Sequence, residues 1–209
     1  MIIQDYNILL KEVLKDCNID ESFFKNINSY LELLLKKNEE LNLISRKLDI
    51  KTIIIDHIYD CLCANDFFTP YSSITDIGSG GGFPAILLAI IFPQKKIQLI
   101  EKSPRKVEFL IEVIKTLDLK NANVICGVVS EQKIIGDCIT CRAFKSILEI
   151  LDMTKTFFNK GGTYLLYKGR KETIDEETKE ASKKYKFNLK LDKIAEKTEK
   201  ERYFVVVKK

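Results

Sequence analysis

The sequence predicts an α/β fold: a doubly wound, mostly parallel sheet of seven strands with an antiparallel edge. Three observations predict it. From Ser73 onward, short apolar runs alternate with segments of helical period, as in right-handed βαβ crossovers. The first run leads directly into a glycine-rich turn, Gly78 to Gly82. The last two runs are joined without a crossover helix, which favours an antiparallel pair at one edge.

The predicted strands are short and apolar, as buried parallel strands usually are. They are Ile74–Ile77, Ile97–Ile100, Val124–Cys126, Cys138–Cys141, Thr163–Tyr167, Asn188–Leu191 and Tyr203–Val207. Helical periodicity predicts the connections between the first five strands and a charged helix after the fifth. These helices are Pro84–Phe92, Pro104–Leu117, a short one near Ser130–Ile135, Ser146–Phe158 and Lys171–Lys186.

The first third of the chain has helical period and no strand pattern. Apolar residues recur at helical spacing in three stripes, which begin at Leu9, Tyr30 and Ile53. We expect these helices to form an N-terminal extension over residues 1–70, and the α/β core to occupy residues 71–209. A chain of 209 residues suits one such domain.

Composition is that of an ordinary globular protein. The chain has 45% hydrophobic and 31% charged residues and a net charge of +4. No apolar run approaches the roughly 18 residues that span a bilayer. The start, Met1 to Asn7, has no basic segment leading into an apolar one. We therefore expect a cytoplasmic protein that has neither an export signal nor a membrane segment.

Cysteine and histidine usage argues against a metal site. The six cysteines include a C-x-C, Cys61 and Cys63, but no two C-x-x-C pairs that could form a ligand set, and His57 is the single histidine. In a reducing compartment we expect the cysteines to be small buried residues that form no disulfides. No metal is expected.

The turn after the first strand carries the main functional signal. It reads Asp76-Ile77-Gly78-Ser79-Gly80-Gly81-Gly82-Phe83-Pro84, which is D-x-G-x-G-x-G. The G-x-G-x-x-G of dinucleotide sites would need glycine at Phe83. The second strand ends at Glu101, where a carboxylate can accept both ribose hydroxyls of an adenosyl group. Together these elements resemble the class I S-adenosylmethionine-dependent methyltransferases, which have a Rossmann-like fold.

Further stretches resemble one family more closely: the bacterial ribosomal RNA small subunit methyltransferase G family, also called glucose-inhibited division protein B. They are Asn42-Leu43-Ile44-Ser45, His57-Ile58-Tyr59-Asp60, Asp76 to Pro84, Arg142-Ala143-Phe144 and Tyr167-Lys168-Gly169. The resemblance implies methylation of guanine N7 in 16S ribosomal RNA with S-adenosylmethionine as cofactor. The implied partner is the RNA or the small ribosomal subunit, and we expect a monomer.

By position, the family's cofactor contacts fall on five residues. They are Gly78, Phe83, Val129, Ser130 and Arg142. The glycine motif and the second strand add Asp76, Gly80 and Glu101. The chain departs from the family at Val128, where arginine is usual, and at Ser130, where an acidic residue is usual. Both changes remove charge near the expected adenine site.

The chemistry of guanine N7 limits what the enzyme must supply. N7 keeps an in-plane lone pair at neutral pH, so attack on a sulfonium methyl requires alignment and electrostatics but no strong base. Arg142 and Lys168 are the candidates for positioning, with Lys102 and Arg105 beside the glycine loop. Phe144 either stacks on an extruded base or packs in the core.

His57 and Asp60 lie one turn apart in the third helical stripe. We expect them to hydrogen-bond to each other and to fix the N-terminal helices to the sheet. Their expected role is structural.

Three other functions remain open. A C5-pyrimidine RNA methyltransferase would use Cys141 as nucleophile, although the chain lacks the Asp-Ala-Pro-Cys element usual in that class. A non-catalytic RNA-binding protein can keep the fold without the activity. A small-molecule methyltransferase would share the glycine motif, because that motif does not specify the acceptor.

Overall fold

The computed structural model describes residues 6–209. Most of Met1 to Asn7, on which the expectation about an export signal rests, lies outside this range. Within residues 6–209, no helix is both long enough and apolar enough to cross a bilayer.

Across residues 6–209, seven strands form one mixed sheet. They are β1 Ser73–Ile77, β2 Lys96–Glu101, β3 Ala122–Cys126, β4 Cys138–Arg142, β5 Thr163–Lys168, β6 Asn188–Lys193 and β7 Tyr203–Lys208. The strand order is β3-β2-β1-β4-β5-β7-β6. Strands β1 to β5 pair in parallel, and β7 is antiparallel to both β5 and β6. The predicted sheet with its antiparallel edge is confirmed.

Helices precede the sheet and connect its strands. Before the sheet lie α1 Asn7–Leu14, α2 Phe24–Leu41, α3 Ile50–Ile53, a π-helix at Ile54–Tyr59 and α4 Asp60–Leu62. The later helices are α5 Ala85–Ile91, α6 Pro104–Thr116, α7 Ile147–Met153, α8 Lys155–Asn159 and α9 Lys171–Ser182. Proline at the first position of α6 and a capping box of Ser146 and Glu149 at α7 explain where these two helices begin.

The sheet is buried on both faces. Leu165 and Tyr167 belong to a core that the N-terminal helices share with α5 and α6. The alternate residues Tyr164 and Leu166 belong to a second core with α7 and α9. Because side chains alternate along a strand, the two cores lie on opposite faces. The N-terminal helices therefore pack directly on the sheet that carries the site.

The predicted short helix near Ser130–Ile135 is wrong. A single 3-10 turn, Val129–Glu131, forms there. The next residues bond instead to buried side chains of the sheet. Gln98 Nε2 donates to the Lys133 carbonyl (3.1 Å), and Thr75 Oγ1 accepts from the Gly136 amide (3.1 Å). These side chains satisfy backbone groups that a helix would otherwise pair.

The predicted helix Ser146–Phe158 is divided into α7 and α8 at Thr154. Thr154 has a φ of −120°. Its buried hydroxyl lies 2.6 Å from the Ile150 carbonyl oxygen and 2.8 Å from the Tyr164 hydroxyl on β5. The contact with Tyr164 on the adjacent strand fixes the break.

The six cysteines are all free thiols. Four are buried as expected, whereas Cys63 is half-buried and Cys126 is exposed, so the expectation was wrong for these two. Within the described range, no group of three or more His, Cys, Asp or Glu residues is arranged to hold a metal ion.

Candidate functional site

A cavity of about 620 Å³ opens at the carboxyl ends of β1 and β2. Ligands of open α/β sheets bind at this edge, next to the point where strand order reverses. We call it the glycine-loop cavity. The predicted site residues that line it are Gly78, Gly80, Phe83, Glu101, Val129 and Arg142, together with the candidate Lys102. Ser130 lines a neighbouring cavity instead.

Two positions of the glycine loop require glycine. Gly78 has a φ of 74° and Gly82 a φ of 97°, which side-chain-bearing residues rarely adopt. A Cβ on Gly78 would lie 2.3 Å from Phe144 Cδ2, and one on Gly82 would lie 2.6 Å from Ile86 Cγ1. The loop is therefore packed closely on both sides, and its backbone forms a wall of the cavity.

Glu101 is held at the end of β2 by backbone donors. Its two carboxylate oxygens accept from the Gly80 and Ser103 amides, each at 2.9 Å. The side chain lines the cavity although the residue is only 7% exposed. Each oxygen keeps a further acceptor site, so the carboxylate can still accept hydroxyl groups of a ligand.

Asp76 is fully buried beside this loop. Neither of its carboxylate oxygens has a hydrogen-bond partner among the described residues. Burial, with a smaller contribution from the Glu101 charge, raises the pKa of Asp76 to about 8, although the nearby Ser79 side chain lowers it. Asp76 does not line the cavity. A cationic group arriving next to it would favour the ionised carboxylate.

The N-terminal extension also reaches the glycine loop. The Tyr30 hydroxyl of α2 donates to the Gly81 carbonyl at 2.6 Å, and its ring lies 5.5 Å from that of Phe83. On the other side the His57 ring lies 5.3 Å from Phe83. Sequence reasoning missed Tyr30, whose only signal was its place in a helical stripe. Phe83 is thus positioned by helices outside the α/β core.

Arg142 at the end of β4 is tied to the π-helix and to the first residue of α4 by three contacts. Its Nε donates to Asp60 Oδ2 at 2.7 Å, its Nη1 lies 3.1 Å from His57 Nδ1, and its Nη2 donates to the Asp56 carbonyl. We call Asp56, His57, Asp60 and Arg142 the Arg142 clamp. The expected hydrogen bond between His57 and Asp60 was wrong, because both side chains bind Arg142 instead.

His57 in the clamp is a neutral acceptor. Burial and, next, the Arg142 charge lower the pKa of His57 to about 3. Its Nδ1 therefore accepts from the guanidinium, and the ring proton resides on Nε2. The Arg142 side chain is only 14% exposed. The clamp holds a permanent cation at the boundary of the cavity.

Residues of the β6–β7 loop extend the clamp. Arg202 Nε lies 3.3 Å from Asp60 Oδ1. The Thr198 hydroxyl donates to Asp56 Oδ1 at 2.9 Å, and Lys200 pairs with Asp56 Oδ2. Sequence reasoning missed Asp56 and these partners, since Thr198 and Asp56 are 142 positions apart. No local pattern signals such a contact.

A second cavity of about 620 Å³ lies at the carboxyl ends of β4 and β5. We call it the β4–β5 cavity. It shares four consecutive lining residues, 142–145, with the glycine-loop cavity. Lys168 lines it, but its ammonium already donates to Glu177 Oε2 and to the Lys145 carbonyl, each at 2.7 Å. Contact with a substrate would require Lys168 to exchange these partners.

Cys141 lines the β4–β5 cavity in an unreactive form. The residue is buried, and burial raises the pKa of its thiol to about 12. Because the thiolate is the nucleophilic form, this environment disfavours the C5-pyrimidine chemistry considered above.

The chain is similar to one family over most of its length. The family model described as rRNA small subunit methyltransferase G, GidB, matches residues 24–205. Ribosomal RNA small subunit methyltransferase G of Brachyspira hyodysenteriae is 38% identical over 204 residues, covering 97% of this chain and 99% of the relative. Ribosomal RNA small subunit methyltransferase G 1 of Bdellovibrio bacteriovorus is 38% identical over 177 residues, covering 84% and 85%.

Solved structures share the fold at low sequence identity. A SAM-dependent methyltransferase from Aquifex aeolicus superposes with a TM-score of 0.59 at 15% identity, covering 77% of this chain and 93% of that chain. At this identity the likeness concerns the fold alone.

Proposed function

Because the chain belongs to the ribosomal RNA small subunit methyltransferase G family, we propose that it transfers a methyl group from S-adenosylmethionine to N7 of a guanine in small-subunit ribosomal RNA. The observation that carries this proposal is the construction of the glycine-loop cavity. The backbone of Gly78 and Gly80 forms one side of it, and the carboxylate of Glu101 lies at the end of the adjacent strand.

The residues present fit the cofactor. Glu101 would accept the ribose hydroxyls, and the backbone of Gly78 would admit the methionine end. Asp76 lies beside the loop but outside the cavity lining, so its carboxylate would act on the ammonium of that end by charge and not by direct contact. Val129, which lines the cavity, would pack against the adenine, whereas Ser130, which lines a neighbouring cavity, would contribute through its backbone.

The protein contributes positioning and charge to the reaction. Bound S-adenosylmethionine supplies an electrophilic methyl group on a sulfonium. The N7 lone pair attacks without prior proton removal, so no general base is required. His57, with a pKa of about 3, and Cys141, with a pKa of about 12, exchange no protons near neutrality. Arg142 lines both cavities while the clamp holds it, and its remaining N–H groups would bind an anionic group of the cofactor or the RNA.

Methyl transfer from labelled S-adenosylmethionine tests the proposal. The acceptors are small-subunit ribosomal RNA and intact small subunits, both from cells that lack this protein. We expect label in 7-methylguanosine after nucleoside analysis. Label in another nucleoside would overturn the N7 assignment. Absence of label, with S-adenosylmethionine binding confirmed by calorimetry, would overturn the RNA acceptor.

Two glycine variants provide a matched control. Gly78→Ala and Gly161→Ala each introduce a side chain at positive φ, 74° and 81° respectively. A Cβ at Gly161 meets nothing within 4 Å, whereas one at Gly78 adds bulk to the wall of the glycine-loop cavity that the cofactor's methionine end must approach. Gly78→Ala should lose cofactor binding and Gly161→Ala should keep it. Cys141→Ser should remain active, since the C5-pyrimidine alternative alone requires the thiol.

We also propose that the protein acts as a cytoplasmic, single-domain monomer. One hydrophobic core that joins the N-terminal helices to the sheet supports the single domain. A ribosomal RNA substrate supports the cytoplasmic location. Sedimentation of the protein alone should give a mass near the 24.1 kDa of one chain, and a dimer mass would overturn this part.

A further inference from the structure

The wall between the two cavities is the segment that follows β4. Phe144 lines both cavities and is half-buried. Its ring covers Gly78 so closely that a Cβ there would lie 2.3 Å from Cδ2 and 2.6 Å from Cε2. The preceding residue, Ala143, has a φ of 50°, a conformation disfavoured for residues other than glycine. The ring therefore rests on the glycine that the cofactor's methionine end must approach.

The β4–β5 cavity has the size and the lining of a nucleotide site. Its volume of about 620 Å³ lies within the roughly 300 to 1,000 Å³ of small-molecule sites. Phe144 and Tyr167 give it aromatic surface, and Arg202 gives it a guanidinium that Asp60 anchors. Aromatic rings stack on unpaired bases, and guanidinium groups bind phosphate.

We propose that the β4–β5 cavity binds the extruded guanosine nucleotide, with Arg202 on its phosphate, and that Phe144 stacks on the base after the bound cofactor displaces its ring from Gly78. This inference rests on the proposed function and adds the acceptor site to it. Displacement of the ring couples the two ligands, because the conformation that admits the cofactor also presents the ring to the base. Coupling of this kind is reciprocal in binding free energy.

Phe144 variants test the inference with opposite effects on the two ligands. We measure the Kd for S-adenosylhomocysteine and the KM for small subunits that lack the methyl group. Phe144→Ala should bind S-adenosylhomocysteine at least as tightly as the unchanged protein, because no ring has to leave Gly78. Its KM should rise by about tenfold or more through lost stacking. Phe144→Tyr should restore the KM and Phe144→Leu should not.

Phe157 supplies a matched control. Its half-buried ring covers Gly162 in the same way, since a Cβ on Gly162 would lie 2.1 Å from Phe157 Cε1, yet it lines neither of the two cavities. Phe157→Ala should leave both ligands unaffected. A Phe144→Ala protein that binds S-adenosylhomocysteine less tightly with an unchanged KM would overturn the inference. Thermal unfolding confirms that each variant is folded, and the Tyr and Leu variants keep the test valid if Phe144→Ala does not fold.

Arginine variants test the occupancy of the cavity independently. Arg202→Ala should raise the KM for small subunits and leave the Kd for S-adenosylhomocysteine unchanged. Arg170→Ala is the control, since this exposed residue lines an adjoining cavity and not the β4–β5 cavity. Equal KM values for the two variants would overturn the phosphate contact. If the unchanged protein transfers no methyl group, the proposed function fails. If it transfers the methyl group but the variants do not show the expected KM and Kd values, this inference alone fails.

Discussion

The glycine loop and the Arg142 clamp meet at the same edge of the sheet but are built in different ways. The loop consists of contiguous residues, and its shape follows from positive φ angles and backbone hydrogen bonds. The clamp joins the Arg142 side chain to two side chains and one backbone carbonyl that are 82 to 86 positions away. The loop can therefore be recognised from a contiguous motif, although β2 also binds its backbone. The clamp exists only once the N-terminal helices have packed on the sheet.

The buried acids of the two regions show a second difference. Asp76 beside the loop has no partner among the described residues, and burial raises its pKa to about 8. Burial would also raise the pKa of Asp56 in the clamp, but hydrogen bonds from Lys200 and Thr198 lower it. A ligand can therefore change the charge of Asp76. The carboxylates of the clamp are already paired with cationic side chains in the absence of a ligand.

Breaking the clamp should have the largest effect on stability. Asp60→Ala leaves the buried Arg142 and its neighbour Arg202 without their shared carboxylate. Removing one partner of a buried ion pair costs about 3 to 5 kcal/mol of unfolding free energy. Urea denaturation measures this loss. Asp175→Ala is the control, because its pair with Lys171 is exposed and such pairs contribute about 0 to 1 kcal/mol. Equal losses for both variants would show that the clamp does not stabilise the fold.

The same difference explains which features the sequence could predict. The sheet, its antiparallel edge and the glycine loop follow from apolar periodicity and from a contiguous motif. The spacing of His57 and Asp60 correctly marked both residues, but it predicted that they bind each other. Local spacing cannot show that a buried guanidinium on β4 competes for both side chains.

Tertiary contacts also explain the other errors. The segment after Val129 has helical composition, yet Thr75 and Gln98 of the neighbouring strands bind its backbone. Lys168 was expected to be available to RNA, but Glu177, nine positions later on α9, pairs with it. The β4–β5 cavity itself is formed by residues from five separate segments of the chain. No single motif describes it.

The unpaired acid of the loop predicts proton release when the cofactor binds. With a folded pKa of about 8 against 3.8, Asp76 is mostly protonated at neutral pH and opposes folding increasingly as pH rises between these values. A bound ammonium group should ionise it. Calorimetry with S-adenosylhomocysteine at about pH 7, in two buffers of different ionisation enthalpy, should show release of up to about one proton. Asp76→Asn should release none, and equal release by both proteins would contradict the role of Asp76.

The neutral histidine of the clamp predicts a smaller, pH-dependent effect. The folded pKa of His57 is about 3 against 6.5 when unfolded, so the unfolded chain binds more protons between these values. The contribution of the neutral His57 to stability is complete above pH 6.5, and it is lost as the pH falls from 6.5 toward 3. His57→Gln keeps an acceptor for Arg142 but does not titrate. The two proteins should have parallel stability curves near neutrality. Below pH 6.5 the unchanged protein should lose up to about 1.4 kcal/mol more per pH unit.

Chemical denaturation from about pH 8 down to about pH 4 makes this comparison clean, because His57 is the single histidine of the chain. Carboxylates titrate in both proteins and cancel in the difference. A difference that grows only below pH 6.5 requires a neutral imidazole in the folded clamp. Parallel curves over the whole range would mean that the folded imidazole takes up a proton as readily as the unfolded one. Its Nδ1 would then not be an acceptor for Arg142, and the clamp would be held by Asp60 and the Asp56 carbonyl alone.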